Sequence, residues 1–353
     1  MNSGWTNIEL QQLWAEGIDV NRPLPQKPRQ PMGLSNCHSF MPLREHFKYP
    51  APTRFSSGAQ LVAVYLTPEH LTPALKRFWG GALSSIGQSI TGDRLTRMDA
   101  IAHWRLNLLI GKSGLSTPES VIRFWLEHRS MVQTTSAEQQ VLHWYMFGEP
   151  WAARWHAHRE ESGAMRRAPI WGAIYAGMPQ QAAAAAYRDA RIAHVGWAVW
   201  ASTVVAYGTA EMISKGATPA TALLNALTYV EPPNQMGVQA LIANMNAAHT
   251  DTWRFWTQLI DTEFNGYPRH HSLPNLLLIL GALYWNANDW MKMQESLEEA
   301  GWDACGNQLV AGALAGRSVA SNSGVGPLVE KLVDRTVVAH RRGSEIHRGE
   351  SGN

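Results

Sequence analysis

Residues 180–216, QQAAAAAYRDARIAHVGWAVWASTVVAYGTAEMISKG, constrain the fold more than any other stretch of this chain. Alanine is the strongest helix former, and the run is too apolar around its circumference to lie at a surface. Gly216 stands where a residue just past a helix end belongs. The sequence therefore predicts a long central helix over 180–216. Other helical segments follow. TPATALLNALTYV opens on Thr-Pro and stops before Pro232 and Pro233. NDWMKMQESLEEAG has a candidate N-cap at Asn288 and ends at Gly301. LPNLLLILGALYW is apolar for about 13 residues, whereas a membrane span takes roughly 20, so it reads as a buried helix. Alternating strand patterns with hairpin turns are missing, as are internal repeats. The expected fold class is all-α.

Composition narrows the function classes. Hydrophobic residues make up 45% of the 353 and charged residues 16%, which implies a sizeable core and a partly neutral surface. A net charge of +2 gives no electrostatic footprint for nucleic acid. Two cysteines, Cys37 and Cys305, form no disulfide framework and fit a reducing, cytoplasmic setting. The N-terminus lacks the basic and apolar regions of a signal peptide. The expectation is a small-molecule substrate, with neither a nucleic acid nor a membrane as partner; the oligomeric state stays open. Sixteen tryptophans fit either a large aromatic core or an aromatic-walled pocket, since indole faces stack on rings and attract cations.

Three regions divide the chain. Residues 1–54 hold Pro23, Pro25, Pro28, Pro31, Pro42, Pro50 and Pro52 and read as an extended arm packing on the domain, with Trp5, Leu13 and Trp14 as anchors of a short initial helix. Residues 55–335 read as the helical domain. Residues 336–353 end in RRGSEIHRGESGN, polar and rich in Gly and Ser, and are expected to be disordered.

Motifs come next. PTRFSSGAQLV covers residues 52–62, ESGAMRRAPIWGAIYAGMP covers 161–179, and AGWDACGNQLVAGALAGR covers 300–317. In this order they resemble three motifs of the ADP-ribosylglycohydrolase superfamily: TDDTQL, NGxxMRxAPLG and GGDTDTNAAIAGALLG. Met165, Arg166, Ala168 and Pro169 match the second; Gly301, Asp303, Asn307, Gly312 and Gly316 match the third. DARIAHVGWAVWAS resembles the helix carrying A-x-x-T-H, with His194 on its histidine. The resemblance spans about residues 52–317 and implies a compact bundle of many helices with the motifs gathered around one site.

The departures bear on the chemistry. The family holds two Mg²⁺ ions through Thr-Asp-Asp of the first motif and Asp-x-Asp-Thr of the third. Here Ser56, Ser57 and Gly58 stand in the first motif, and Asp303, Cys305 and Gly306 in the third. Four carboxylates have become one. Mg²⁺ is a hard cation anchored by carboxylates, and a thiolate suits it poorly. The expectation is therefore no metal and no cofactor. Asp303 then reads as a general acid/base or a stabiliser of positive charge, with a pKa raised by burial beside indoles, or simply as a helix cap. Cys305 reads as a nucleophile at a helix N-terminus or as an inert packed thiol. His194 reads as a proton carrier or a core histidine.

The substrate-binding set implied by the motifs is Ser56, Ser57, Glu161, Met165, Arg166, Trp171, Trp302 and Asn307. Trp302, in place of a family glycine, is expected to put an indole in the pocket. GKSG at 111–114 lacks the spacing of a phosphate loop, and WHAHREE at 155–161 lacks zinc spacing and reads as a solvated face. Three functions follow. One is a metal-independent enzyme acting on a nucleotide, a ribosyl compound or a small biosynthetic intermediate by proton transfer. Another is a noncatalytic binder of ADP-ribose or of a protein. The third is an ADP-ribosyl hydrolase with an unusual metal site.

Overall fold

A computed structural model describes residues 66–87, 104, 107–111, 118–128, 136–146, 156–229, 252–286, 288–321, 323 and 325–351. The proline-rich arm, the first motif with Ser56 and Ser57, GKSG beyond its first residue, and Cys37 lie outside them. The helices are α1 Pro68–Gly87, α2 Pro118–Glu127, α3 Ser136–Met146, α4 Gly163–Ile174, α5 Pro179–Ala190, α6 Gly196–Lys215, α7 Pro219–Tyr229, α8 Thr252–Glu263, α9 Ser272–Trp285, α10 Trp290–Ala300, α11 Ala304–Ala315 and α12 Gly326–Ser351. Among the described residues there is no strand, only an isolated antiparallel bridge between Glu161 and His271. The all-α expectation holds.

Two helices without a polar face form the centre. α6 is buried from Trp197 to Glu211 and packs against α4, α5 and α7. α9 is buried from Ser272 to Leu283 and packs against α8, α10 and α11. Their sequences contain the apolar runs that point to burial. α1 and α12 cover α11 and α4. Small residues set the tightest crossings. A Cβ at Gly172 would lie 2.4 Å from Thr209 Cβ on α6, and one on Gly81 or Gly312 would overlap the facing helix at the α1–α11 crossing. This is how a close helix approach selects glycine.

The structure corrects three sequence expectations. The run 180–216 is two helices, broken at Arg191–Val195. A neighbouring turn captures the backbone there: His156 Nε2 donates to Ala193 O at 2.9 Å, and Val195 N donates to Arg159 O at 2.9 Å. Gly196 then takes φ +53, where a side chain would strain and would meet Glu160 Oε1. The cap of α10 is Asp289, whose side chain accepts from Lys292 N at 2.9 Å, not Asn288.

The tail is also helical, as far as Ser351. Its residues Thr336, Ala339, His340 and Ser344 are buried. Trp79 Nε1 donates to Thr336 Oγ1 at 3.0 Å, and the His340 ring is bonded to Ile174 O at 3.0 Å. Polar composition concealed a docked face, because tertiary contacts and not propensity hold this helix. Gly216 and Gly301 both adopt left-handed φ at the helix ends where the sequence placed them.

Candidate active site

The N-terminal ends of α4, α9 and α11 converge. Ser162 precedes α4 and Arg166 lies four residues on, which puts both on one face of that helix. His270 and His271 precede α9, and Asn275 sits in its first turn. Asp303 precedes α11. Backbone pairing fixes the first two ends together: Ser162 N donates to His270 O at 2.7 Å and Ser272 N to Glu160 O at 2.9 Å.

Asp303 is the centre of the site. It occupies the N-cap position of α11, but its side chain makes no capping bond. Its Oδ2 accepts instead from Ser162 Oγ at 2.5 Å, from Arg166 Nε at 2.7 Å and from Arg166 Nη2 at 2.6 Å. Its Oδ1 lies 3.6 Å from His270 Nδ1. Asn275 Oδ1 fixes the backbone by accepting from Asp303 N at 3.0 Å and from Asn307 Nδ2 at 2.7 Å. The side chain is 3% exposed. Burial pushes its pKa up, but the Arg166 guanidinium, His270 and Ser162 outweigh that and hold it well below the carboxylate range. This overturns the expected raised pKa. Asp303 is a fixed anion and does not exchange a proton near neutrality.

His270 was not singled out in the sequence. Its ring is 55% exposed, and its Nδ1 lies between Asp303 Oδ1 and Arg166 Nη2, the latter at 3.3 Å. The Asp303 carboxylate, 3.6 Å from Nδ1, raises its pKa, and partial burial opposes the rise. A protonated ring faces the Asp303 carboxylate as a cation, whereas a neutral one accepts from Arg166. The available signal was the pair His270–His271 just before an apolar helix; without knowledge that α9 and α11 begin side by side, nothing linked it to Asp303.

The remaining predicted residues separate. Glu161 is on the bridge beside the site and meets His158 Nδ1 at 2.6 Å. WHAHREE is no solvated helical face: His156 is buried, and His271 Nε2 reaches Glu160 Oε2 at 3.2 Å. Met165 is core, and Asn307 is a buried scaffold residue. Cys305 is partly exposed in the first turn of α11. Trp302 does not line an indole pocket. Its Nε1 donates to Asp261 Oδ1 at 2.7 Å, and Arg269 stacks on its ring at 4.8 Å, at the edge of α8.

Trp171 and His194 belong to another cluster, around Arg167. That guanidinium bonds Glu138 and, through Nε at 2.7 Å, Asp189, whose Oδ2 also accepts from Trp171 Nε1 at 3.2 Å. Its burial opposes its charge, but the two carboxylates win and raise its pKa. His194 lies 3.9 Å from Glu138, fully buried. Burial pushes its pKa down to about 3 against the pull of Glu138, so the ring is neutral. Asp303 is not among its polar neighbours.

Residues 51–320 match the family described as ADP-ribosylglycohydrolase. The chain belongs to that family. No curated protein and no solved structure matches it. The match covers the convergent helix ends and both arginine clusters. It also raises the question of the family's metal pair, which the described residues do not fit. The one third-motif carboxylate already has an oxygen saturated by three donors, a fixed guanidinium stands against it, and the neighbouring ligand position is a thiol. Among the described residues, no group of three or more His, Cys, Asp or Glu is placed to hold a metal ion. No helix among them is long and apolar enough to cross a membrane.

Proposed function

We propose that this protein is a metal-independent enzyme on the glycohydrolase fold. It acts by proton transfer on a nucleotide, a ribosyl compound or a small biosynthetic intermediate. The observation that carries this reading is the buried, ionised Asp303 held by Ser162 and Arg166 next to a half-exposed His270. Asp303 pairs with Arg166 and so fixes the guanidinium at the site. It also orients the His270 ring, whose Nε2 makes no hydrogen bond among the described residues and is the atom that exchanges protons with a ligand. Cys305, His194 and the tryptophans are outside this scheme; Glu161 and Arg166 remain as its substrate-facing polar groups.

The test is turnover of ribosyl and nucleotide substrates in the presence of a chelator, for the wild type, Asp303→Asn and His270→Gln. Activity that survives chelation and drops about 100-fold to 10,000-fold in each variant is expected. Activity that returns only with added Mg²⁺, or an Asp303→Asn protein at the wild-type rate, overturns the reading.

One observation favours a second reading, that of a noncatalytic ligand-binding relative. Arg166 and Ser162 occupy Oδ2 of Asp303 completely, as in a site whose chemistry has been retired. Calorimetry with ADP-ribose that gives saturable binding with no turnover of the same compound class supports it.

A further inference from the structure

Arg166 has five N–H donors, and its side chain is only 13% exposed. Nε and Nη2 are committed to Asp303 Oδ2, and Nη2 also faces His270 Nδ1. Nη1 has no partner among the described residues. That edge is not among the buried unpartnered atoms, so it is open to a ligand from solvent. The unmade edge belongs to a fixed group, because the Asp303 bonds lock the plane of the guanidinium and Trp104 Nε1 donates to the Arg166 carbonyl at 2.8 Å.

The surroundings favour an anion at that edge. The N-terminal ends of α4, α9 and α11 all meet here, and helix N-termini stabilise negative charge. Asp303 offsets the charge of Arg166, so a protonated His270 leaves the trio with a net positive charge. Glu161, the other carboxylate acting on His270, is held by His158 at 2.6 Å. Room for the pair comes from Gly306. A Cβ there would lie 2.5 Å from Asp303 Oδ2 and 2.6 Å from Arg166 Nε. Gly306 lies inside α11 with ordinary helical backbone, so it answers to space and not to conformation. A side chain at this place would require the ends of the Asp303 and Arg166 side chains to shift.

We infer that Arg166 Nη1 and His270 together form a receptor for an oxyanion of the ligand, a carboxylate or a phosphate, in a space that Gly306 opens. Arg166 is thus the site's own cation, with one edge bound to the protein and the other left for the ligand. The inference rests on the reading of the Asp303 site as the ligand site, and it names what that site recognises.

The full-length protein, labelled at histidine, is titrated with inorganic phosphate and separately with acetate, at constant ionic strength made up with chloride, and followed by NMR. A saturable shift of the His270 ring signals is expected in at least one arm, with the signals of the buried His156 unmoved. The arm that saturates at lower concentration identifies the oxyanion. Arg166→Lys keeps a charge against Asp303 and lacks the second edge, so binding weakens by about tenfold or more. Gly306→Ala displaces the pair and weakens binding likewise, which keeps the test open if one variant fails to fold. No saturable shift in either arm, or unchanged binding in Arg166→Lys, overturns the inference. If turnover in chelator still depends on Asp303 and His270 while neither anion binds, this inference falls and the proposed function stands. If an anion binds while Asp303→Asn turns over at the wild-type rate, the reverse holds.

Discussion

Arg166 and Arg167 are neighbours in the chain and opposites in the fold. About 100° of helix rotation separates them. Arg166 turns to the convergent helix ends and meets one carboxylate and a half-exposed histidine. Arg167 turns inward and meets Glu138, Asp189 and the face of Trp125 at 5.5 Å, with a neutral His194 alongside. Each is a guanidinium on buried carboxylate. The Arg166 cluster has an uncommitted guanidinium edge and a half-exposed histidine, whereas the Arg167 cluster is buried throughout. On the proposed reading, one arginine of the dipeptide faces the ligand and the other the core.

The comparison breaks first on stability. Arg167→Met leaves Glu138 and Asp189 without their cation in the interior, and breaking a buried pair costs about 3–5 kcal/mol. Arg166→Met exposes Asp303 to the same fault, but Ser162 and His270 remain and water is near. The expected loss is about 1–3 kcal/mol. Chemical denaturation of both variants checks this. Equal losses would mean that both clusters are structural.

Acid gives the next largest effect. The His194 pKa in the fold is about 3, below the ordinary 6.5. The unfolded chain therefore takes up the proton first as pH falls, and stability drops from near pH 6.5 downward; the full range is worth on the order of 5 kcal/mol. His156 and His340, also pushed down by burial, act in the same direction. Asp303 adds a loss at lower pH, because its depressed pKa stabilises the fold above the ordinary carboxylate value. His270 works oppositely: its raised pKa gives stability at low pH that is lost as pH rises through the folded value. Thermal unfolding against pH should show the acid slope, and His194→Leu should flatten it. An unchanged slope would place the acid sensitivity elsewhere.

Much of the fold is legible in the chain and the site is legible only in part. The buried course of α6 and α9 follows from apolar residues on every face, and Gly216 and Gly301 mark helix ends by their own conformation. The motif residues Arg166 and Asp303 meet as the family resemblance implies. The break before Gly196 was hidden because its cause, the turn at His156–Arg159, comes from elsewhere in the chain. His270 was hidden for the same reason. Burial alone predicts a raised Asp303 pKa, and the guanidinium reverses the sign: a buried carboxylate titrates high when alone and low against a cation. Trp302 misled through its position, since adjacency to Asp303 in sequence does not turn an indole toward the same space.

Trp302 provides the smallest and sharpest break in the comparison, because it marks where the Asp303 site ends. Its indole N–H donates to Asp261 Oδ1, and Asp261 also meets Arg269 Nη1 at 3.1 Å; both members of that pair are more than half exposed. Arg269 lies flat on the ring. These contacts tie α8 to the segment before α11 and involve none of the atoms around Asp303. Trp302→Phe keeps an aromatic face under Arg269 and removes one hydrogen bond to a solvated carboxylate. The expected loss is about 1 kcal/mol or less. His270 signals, anion binding and turnover should all stay at wild-type values. A Trp302→Phe protein that folds normally yet binds phosphate or acetate more weakly would bring the indole into the pocket, and the boundary between the ligand site and its structural rim would have to move past α8.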